Sequence, residues 1–189
     1  MSHFALHLLR HGEPEGAGRL IGRTDAPPTV AGIAACVEQA RDLGPEVLIA
    51  SDLSRARLAG EAISAANRVP LTIDPRWREL DFGAWDGLAP AAVDGAALAR
   101  FWGDPDVHAP PGGECWSALV HRVGSAIGDL TARPTLVVTH AGAMRAALAV
   151  LCGFDVRQTW ALDLPYNALL SLRGWPCETP SAQIAGLYP

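Results

Sequence analysis

Apolar residues fall along this chain in short runs of two kinds. Phe4 to Leu9 is a mainly apolar run that breaks at Arg10-His11-Gly12, the pattern of a buried parallel strand ending in a loop. Val47 to Ala50, Leu71 to Ile73 and Thr135 to Thr139 read as further strands, and Ala168 to Leu172 and Ala182 to Leu187 as late ones. Between them apolar positions recur at helical spacing. One helix is expected over Val30 to Leu43, with Thr29 as its N-cap and Gly44-Pro45 as its stop. Another runs from Leu53 to about Asn67, capped by Ser51-Asp52, a third over Ser117 to Leu130, and a fourth from His140-Ala141-Gly142 to Leu151. The stretch from Trp77 to Pro111 is irregular and holds one helix around Pro90 to Trp102. Strands alternating with helices predict an α/β fold: a three-layer α/β/α sandwich with a mostly parallel central sheet, in one domain over residues 1–189.

Composition narrows the chemistry. With 49% hydrophobic and 19% charged residues, 189 positions are enough to bury a core, which excludes a disordered chain. The net charge of −5 argues against a nucleic-acid partner. All 15 basic residues are arginine. That removes Schiff-base mechanisms, pyridoxal phosphate anchoring and the P-loop lysine together. Cys36, Cys115, Cys152 and Cys177 stand far apart with no C-x-x-C pair, so they read as reduced thiols of a cytosolic protein rather than zinc ligands. No basic leader and no membrane-length apolar run is present, and a cytoplasmic protein without a membrane partner is expected.

Three polar groups follow predicted strands: Arg10-His11-Gly12, Ser51 to Arg57, and His140-Ala141-Gly142. Open α/β sheets bind ligands at such strand ends, where helix N-termini also point. Two imidazoles with two or more guanidiniums suit a phosphate, and a histidine among them can attack phosphorus. Each triplet alone also fits a loop histidine bonded to a carbonyl; together they favour a site. A metal reading of His3, His7 and His11 fails on distance, since residues four apart on a strand lie roughly 13 Å apart.

Arg10-His11-Gly12-Glu13-Pro14 resembles the signature of the histidine phosphatase superfamily, the phosphoglycerate-mutase-like fold. The similarity continues through Gly22-Arg23-Thr24-Asp25-Ala26-Pro27, Ser51-Asp52-Leu53-Ser54-Arg55-Ala56, Arg78-Glu79-Leu80-Asp81-Phe82-Gly83, Pro111-Gly112-Gly113-Glu114 and Val138-Thr139-His140-Ala141-Gly142. The resemblance implies His11 as the phosphorylated nucleophile and Arg10, Arg55 and His140, the last as imidazolium, as phosphoryl ligands. It implies Glu79 as proton donor, and Gly12, Ala141 and Gly142 as further phosphate-binding positions. Neither metal nor cofactor is implied, the substrate is a small-molecule phosphomonoester, and a homodimer is left open.

Some positions depart from the family pattern. Arg57 and Leu58-Ala59 differ from its second block, and Ala17 stands where several relatives carry an asparagine near the phosphate. Glu79 and His140 are only 61 positions apart, which leaves little room for a mutase insertion, so phosphatase is favoured over mutase. Among phosphatases the chain looks most like the α-ribazole phosphatases of cobalamin assembly. A phosphate-binding protein without turnover is the other class. It would show substitutions at the nucleophile or acid, and there are none. The six tryptophans are read as packing, with Trp85 and Trp102 placed to cover the site. Glu13 and Glu114 are salt-bridge or loop residues, Glu114 with a contact near the pocket in reach. His108 and His121 are surface or helix residues. Arg145 either faces the pocket or covers its helix.

Overall fold

The computed structural model describes residues 3–175 and 181–189, so Cys177 lies outside the described residues. Six strands form one sheet: β1 (Phe4–Arg10), β2 (Val47–Ala50), β3 (Leu71–Ile73), β4 (Thr135–Thr139), β5 (Leu169–Trp175) and β6 (Ser181–Tyr188). Their order is β3-β2-β4-β1-β5-β6. The first three pairings are parallel, and β5 and β6 add on antiparallel.

Successive strand residues serve opposite faces, as the pleat requires. Leu8, Ile49 and Val137 enter one apolar cluster, with Leu119, Val123, Met144 and Leu148. Leu9, Leu48, Leu136 and Val138 enter the other, with Cys36, Ala56 and Ile63. Helices α1 (Val30–Gln39) and α2 (Ser54–Asn67) cover the second face, and α4 (Trp116–Gly128) and α5 (Ala141–Cys152) the first. The three-layer sandwich with a mostly parallel sheet is therefore present.

The differences from the sequence expectation are local. Thr29 does cap α1, its side chain accepting the Gly32 N–H at 3.0 Å, but the helix ends at Gln39 rather than Leu43 and closes in a tight turn. Ser51-Asp52 does not cap α2. The side chain of Asp25, from a distant loop, takes the Ser54 N–H at 2.6 Å and the Ser54 hydroxyl at 2.8 Å. The expected helix over Pro90 to Trp102 divides into a 3₁₀ turn at Pro90–Ala92 and α3 (Gly95–Gly103), because Asp94 caps the Ala97 N–H. The short α6 (Val156–Trp160) was not anticipated, although Asp155 and Gln158 form a capping box legible in sequence.

Candidate active site

Parallel register assembles the site. Arg10 is the partner of Thr139 across β1 and β4, and the His11 N–H donates to the Thr139 carbonyl at 2.8 Å. The Ser51 N–H donates to the Val138 carbonyl at 3.0 Å. Residues 11, 140 and 51 thus leave the sheet at one level. The His11 and His140 rings meet edge to face, their centroids 5.0 Å apart.

His11 is buried, with Nδ1 2.7 Å from the Gly12 carbonyl. A carbonyl only accepts, so Nδ1 is assigned the proton and Nε2 keeps its lone pair. Burial pushes the imidazole well below its ordinary pKa, and the Arg55 and Arg10 charges push the same way against the Gly12 hydrogen bond. The ring is neutral, as a nucleophile must be. Gly12, expected to bind phosphate, lies behind the cavity wall. Its carbonyl holds His11, and a Cβ there would lie 2.2 Å from the Gly32 carbonyl oxygen, so only glycine lets this turn meet α1.

His140 is fully buried at the N-cap of α5, 2.9 Å from the Ser51 hydroxyl through Nε2. Ser51 Oγ accepts the Leu53 N–H at 3.4 Å, which suits it to donate its own proton to Nε2. The His140 proton then sits on Nδ1, which has no partner among the described residues. Burial first, then Arg55 and His11, push this ring well below its ordinary pKa. His140 is thus a neutral imidazole here, not the imidazolium expected; a bound phosphate would act in the opposite direction.

These two rings carry a stability consequence. A histidine whose folded pKa lies below the unfolded value of 6.5 binds fewer protons in the native state. Its contribution is present above about pH 6.5 and is lost as pH falls below it. The carboxylates held low by arginine, Asp52 and Asp74, act only below 3.8. We expect a level Tm near pH 7 that falls between pH 6.5 and 5. A Tm rising through that window would contradict two neutral buried imidazoles.

Arg10 stacks on the Tyr166 ring at 4.1 Å and donates to the Leu164 carbonyl at 2.5 Å. Arg55, 1% exposed, donates to the carbonyls of Thr24 (2.8 Å), Ile21 (3.1 Å) and Gly22 (2.8 Å). The amides of that same loop, at Gly22, Arg23 and Thr24, are held by the Asp86 carboxylate. Three of the five N–H groups of Arg55 are engaged, and the fork remains at the cavity wall. Arg57 points away and pairs with Glu61 at 2.6 Å on the surface. Arg55→Lys should therefore lower kcat/KM by about 10²-fold or more, because an ammonium cannot serve loop and ligand together. Arg57→Ala should stay within about threefold of wild type. Equal losses in the two variants, measured on one aryl phosphate, would refute the assignment.

Glu79 accepts the Leu80 N–H at 2.8 Å and the Gly142 N–H at 3.1 Å. The Gly142 amide, expected to face phosphate, is thus engaged by Glu79. A Cβ at position 142 would come 1.9 Å from Oε1, so the carboxylate occupies the space a side chain would fill. The acid's segment is held from behind. Arg122 donates to the carbonyls of Arg76, Arg78 and Glu79 at 2.8 Å each and forks onto Glu114, while the Thr139 hydroxyl holds the Trp77 carbonyl at 2.7 Å. Glu114 is therefore a salt-bridge partner behind the site, and Arg122 was not singled out from sequence.

A cavity of about 170 Å³ opens above these groups. Arg10, His11, Arg55, Glu79, Ala141 and Gly142 line it, whereas Gly12 and His140 stand behind. Four arginines against one carboxylate make it cationic in a chain of net charge −5. Its outer wall is aromatic. Trp102 lies there as expected, but Trp116 and Trp160, read as packing, line it too, and Trp85 packs on Phe101 instead. Arg145 faces the cavity, and Tyr166, next to His11 at 5.6 Å between centroids, was missed. His7 bonds Ser171 and His11 bonds Gly12, so the histidine series on β1 does not converge. Among the described residues no three His, Cys, Asp or Glu side chains are grouped to hold a metal ion, and no helix is long and apolar enough to cross a membrane.

Residues 6–182 match the model of the histidine phosphatase superfamily (branch 1). The chain belongs to that superfamily. It is 34% identical over 169 residues, 80% of this chain and 75% of the relative, to the glucosyl-3-phosphoglycerate phosphatase of Mycolicibacterium vanbaalenii. It is 32% identical over 198 aligned positions, 92% of this chain and 91% of the relative, to the Proteus mirabilis protein named "Probable phosphoglycerate mutase GpmB". The solved α-ribazole phosphatase from Shigella flexneri superposes with a TM-score of 0.83, covering 98% of this chain and 96% of that one, at 22% identity. That last likeness is one of fold. The protein is a phosphatase-type enzyme of this superfamily.

Proposed function

We propose that this histidine phosphatase is a metal-independent phosphomonoester hydrolase that works through a phosphohistidine on His11. The carrying observation is the neutral His11 ring, its Nδ1 tied to Gly12, lining one cavity with Arg10, Arg55 and Glu79. In this reading Nε2 of His11 attacks phosphorus in line with the ester oxygen. The P–O bond breaks and Glu79 gives its proton to the departing alkoxide; water then attacks phosphorus, the P–N bond to His11 breaks, and a proton of that water returns to Glu79. The fixed guanidiniums of Arg10 and Arg55, both at the cavity wall, stabilise charge on the transferring oxygens without reorganising. No step calls for a metal, because the cationic groups belong to the chain.

Two leaving groups merit separate tests. The aromatic wall of Phe82, Phe101, Trp102, Trp116 and Trp160 favours a planar body such as that of α-ribazole 5′-phosphate. A relative's action on glucosyl-3-phosphoglycerate favours a phosphorylated acid. The mutase alternative is disfavoured by the short span between Glu79 and His140. The deciding experiment is hydrolysis of an aryl phosphate with and without chelator, and with vanadate, which mimics the pentacoordinate phosphorus. Turnover that survives chelator and stops with vanadate supports the reading. Loss of turnover with chelator, or phosphoryl transfer to a second acid without release of phosphate, would defeat it.

A further inference from the structure

Arg10 ends β1 directly before His11, and its long side chain must be fixed in one plane if its fork is to meet phosphoryl oxygens. No described carboxylate forms an ion pair with it; Glu79 and Asp163 favour its charge only from farther off. Two contacts from the segment ahead of β5 hold it instead. Nη1 donates to the Leu164 carbonyl at 2.5 Å, and the guanidinium carbon lies 4.1 Å from the centre of the Tyr166 ring. One hydrogen bond leaves the group free to turn about it, whereas a ring against its face sets the plane. That ring is fastened to the strand it serves. The Asn167 N–H donates to the His11 carbonyl at 3.3 Å, and the Arg10 N–H donates to the Ala168 carbonyl at 2.9 Å. Asn167 turns the chain at φ 66°, a left-handed conformation that asparagine tolerates, and the Gln39 side chain donates to its carbonyl at 3.2 Å. The same segment repeats the device on Arg145, with the Trp160 ring at 4.4 Å and the Leu162 carbonyl at 3.2 Å. Arg55 is held differently, by three carbonyls and by no ring among the described residues.

We infer that Tyr166 is a positioning residue: its ring sets the plane of the Arg10 guanidinium and so aims that group at the phosphoryl oxygens. This rests on the phosphatase reading above, in which Arg10 is a phosphate ligand. Leu164 engages one of the five N–H groups of Arg10, and the ring holds the others in place before the anion arrives. Without it the guanidinium turns about the Leu164 bond, and each binding event has to order it again. The task needs the face of a ring rather than its hydroxyl. Phenylalanine therefore suffices at position 166 and leucine does not.

A double-mutant cycle tests this, read both as kcat/KM on an aryl phosphate and as vanadate affinity by calorimetry. Tyr166→Leu should lower each by about 10–30-fold, the worth of a desolvated cation on a ring. Tyr166→Phe should restore each to within about threefold of wild type. In an Arg10→Gln background Tyr166→Leu should cost less than about threefold, because the group it serves is gone. In an Arg55→Lys background it should keep its full cost. An equal cost with and without Arg10 overturns the inference and leaves Tyr166 acting on substrate directly or on the fold. Phenylalanine as damaging as leucine, or a harmless leucine, overturns it as well. Wild type that binds vanadate but turns over no aryl phosphate sinks the phosphatase reading instead, and the vanadate affinities still decide the role of Tyr166. Wild type that binds no vanadate defeats both.

Discussion

His11→Ala should lower kcat by about 10⁴-fold or more and abolish any acid-labile phosphoenzyme. The expectation follows from the ring's restraints rather than from its identity alone. Gly12 fixes Nδ1 at 2.7 Å, which leaves Nε2 as the free nitrogen, and burial beside Arg55 and Arg10 keeps that lone pair unprotonated. Removing the imidazole leaves the phosphate ligands in place, so substrate should still bind with similar affinity. The check is an acid-quenched reaction with radiolabelled substrate, followed by mapping of the label, with a Tm measured alongside. Label on Ser51 or another residue in the wild type, or sizeable turnover by a folded His11→Ala protein, would remove His11 from the nucleophile's role. Ser51 is the instructive control. It sits within the site, but its hydroxyl is engaged with His140 and the Leu53 amide.

How far this arrangement was legible depends on which features leave a trace in local pattern. β2 and β4 were read closely because each is a short, nearly unbroken apolar run, buried on both faces. The site residues fell at strand ends, where His11, Ser51 and His140 break such runs. The cap of α2 was misread because Asp25 reaches it from 29 positions away, and no local pattern announces such a partner. Gly142 was read as a phosphate donor, whereas its missing side chain makes room for Glu79. Arg122 escaped notice for a related reason. It sits on an ordinary amphipathic helix, and its three carbonyl partners come from a single 3₁₀ turn and the irregular residues just after it. Tyr166 and Trp160 line the cavity from the loop and short helix ahead of β5, a region whose apolar residues look like packing in sequence.

Glu79→Gln should separate chemistry from architecture by its dependence on the leaving group. An alkoxide leaves poorly unless protonated, and a positioned acid contributes about 10²–10⁴-fold. On an alkyl phosphate, such as a ribose 5′-phosphate ester, the variant should lose about that much in kcat/KM. On an aryl phosphate, whose phenolate leaves unaided, the loss should stay within about tenfold. The structure makes this a demanding test, because Glu79 also has architectural partners: its carboxylate accepts the Leu80 and Gly142 amides. Glutamine keeps one oxygen for an amide but places an NH₂ against another donor, so some uniform loss is expected on both substrates. Only the difference between the two reports proton donation. Equal losses on both esters with the Tm intact would make Glu79 a support for α5, and the proton would have to come from solvent or from the substrate itself.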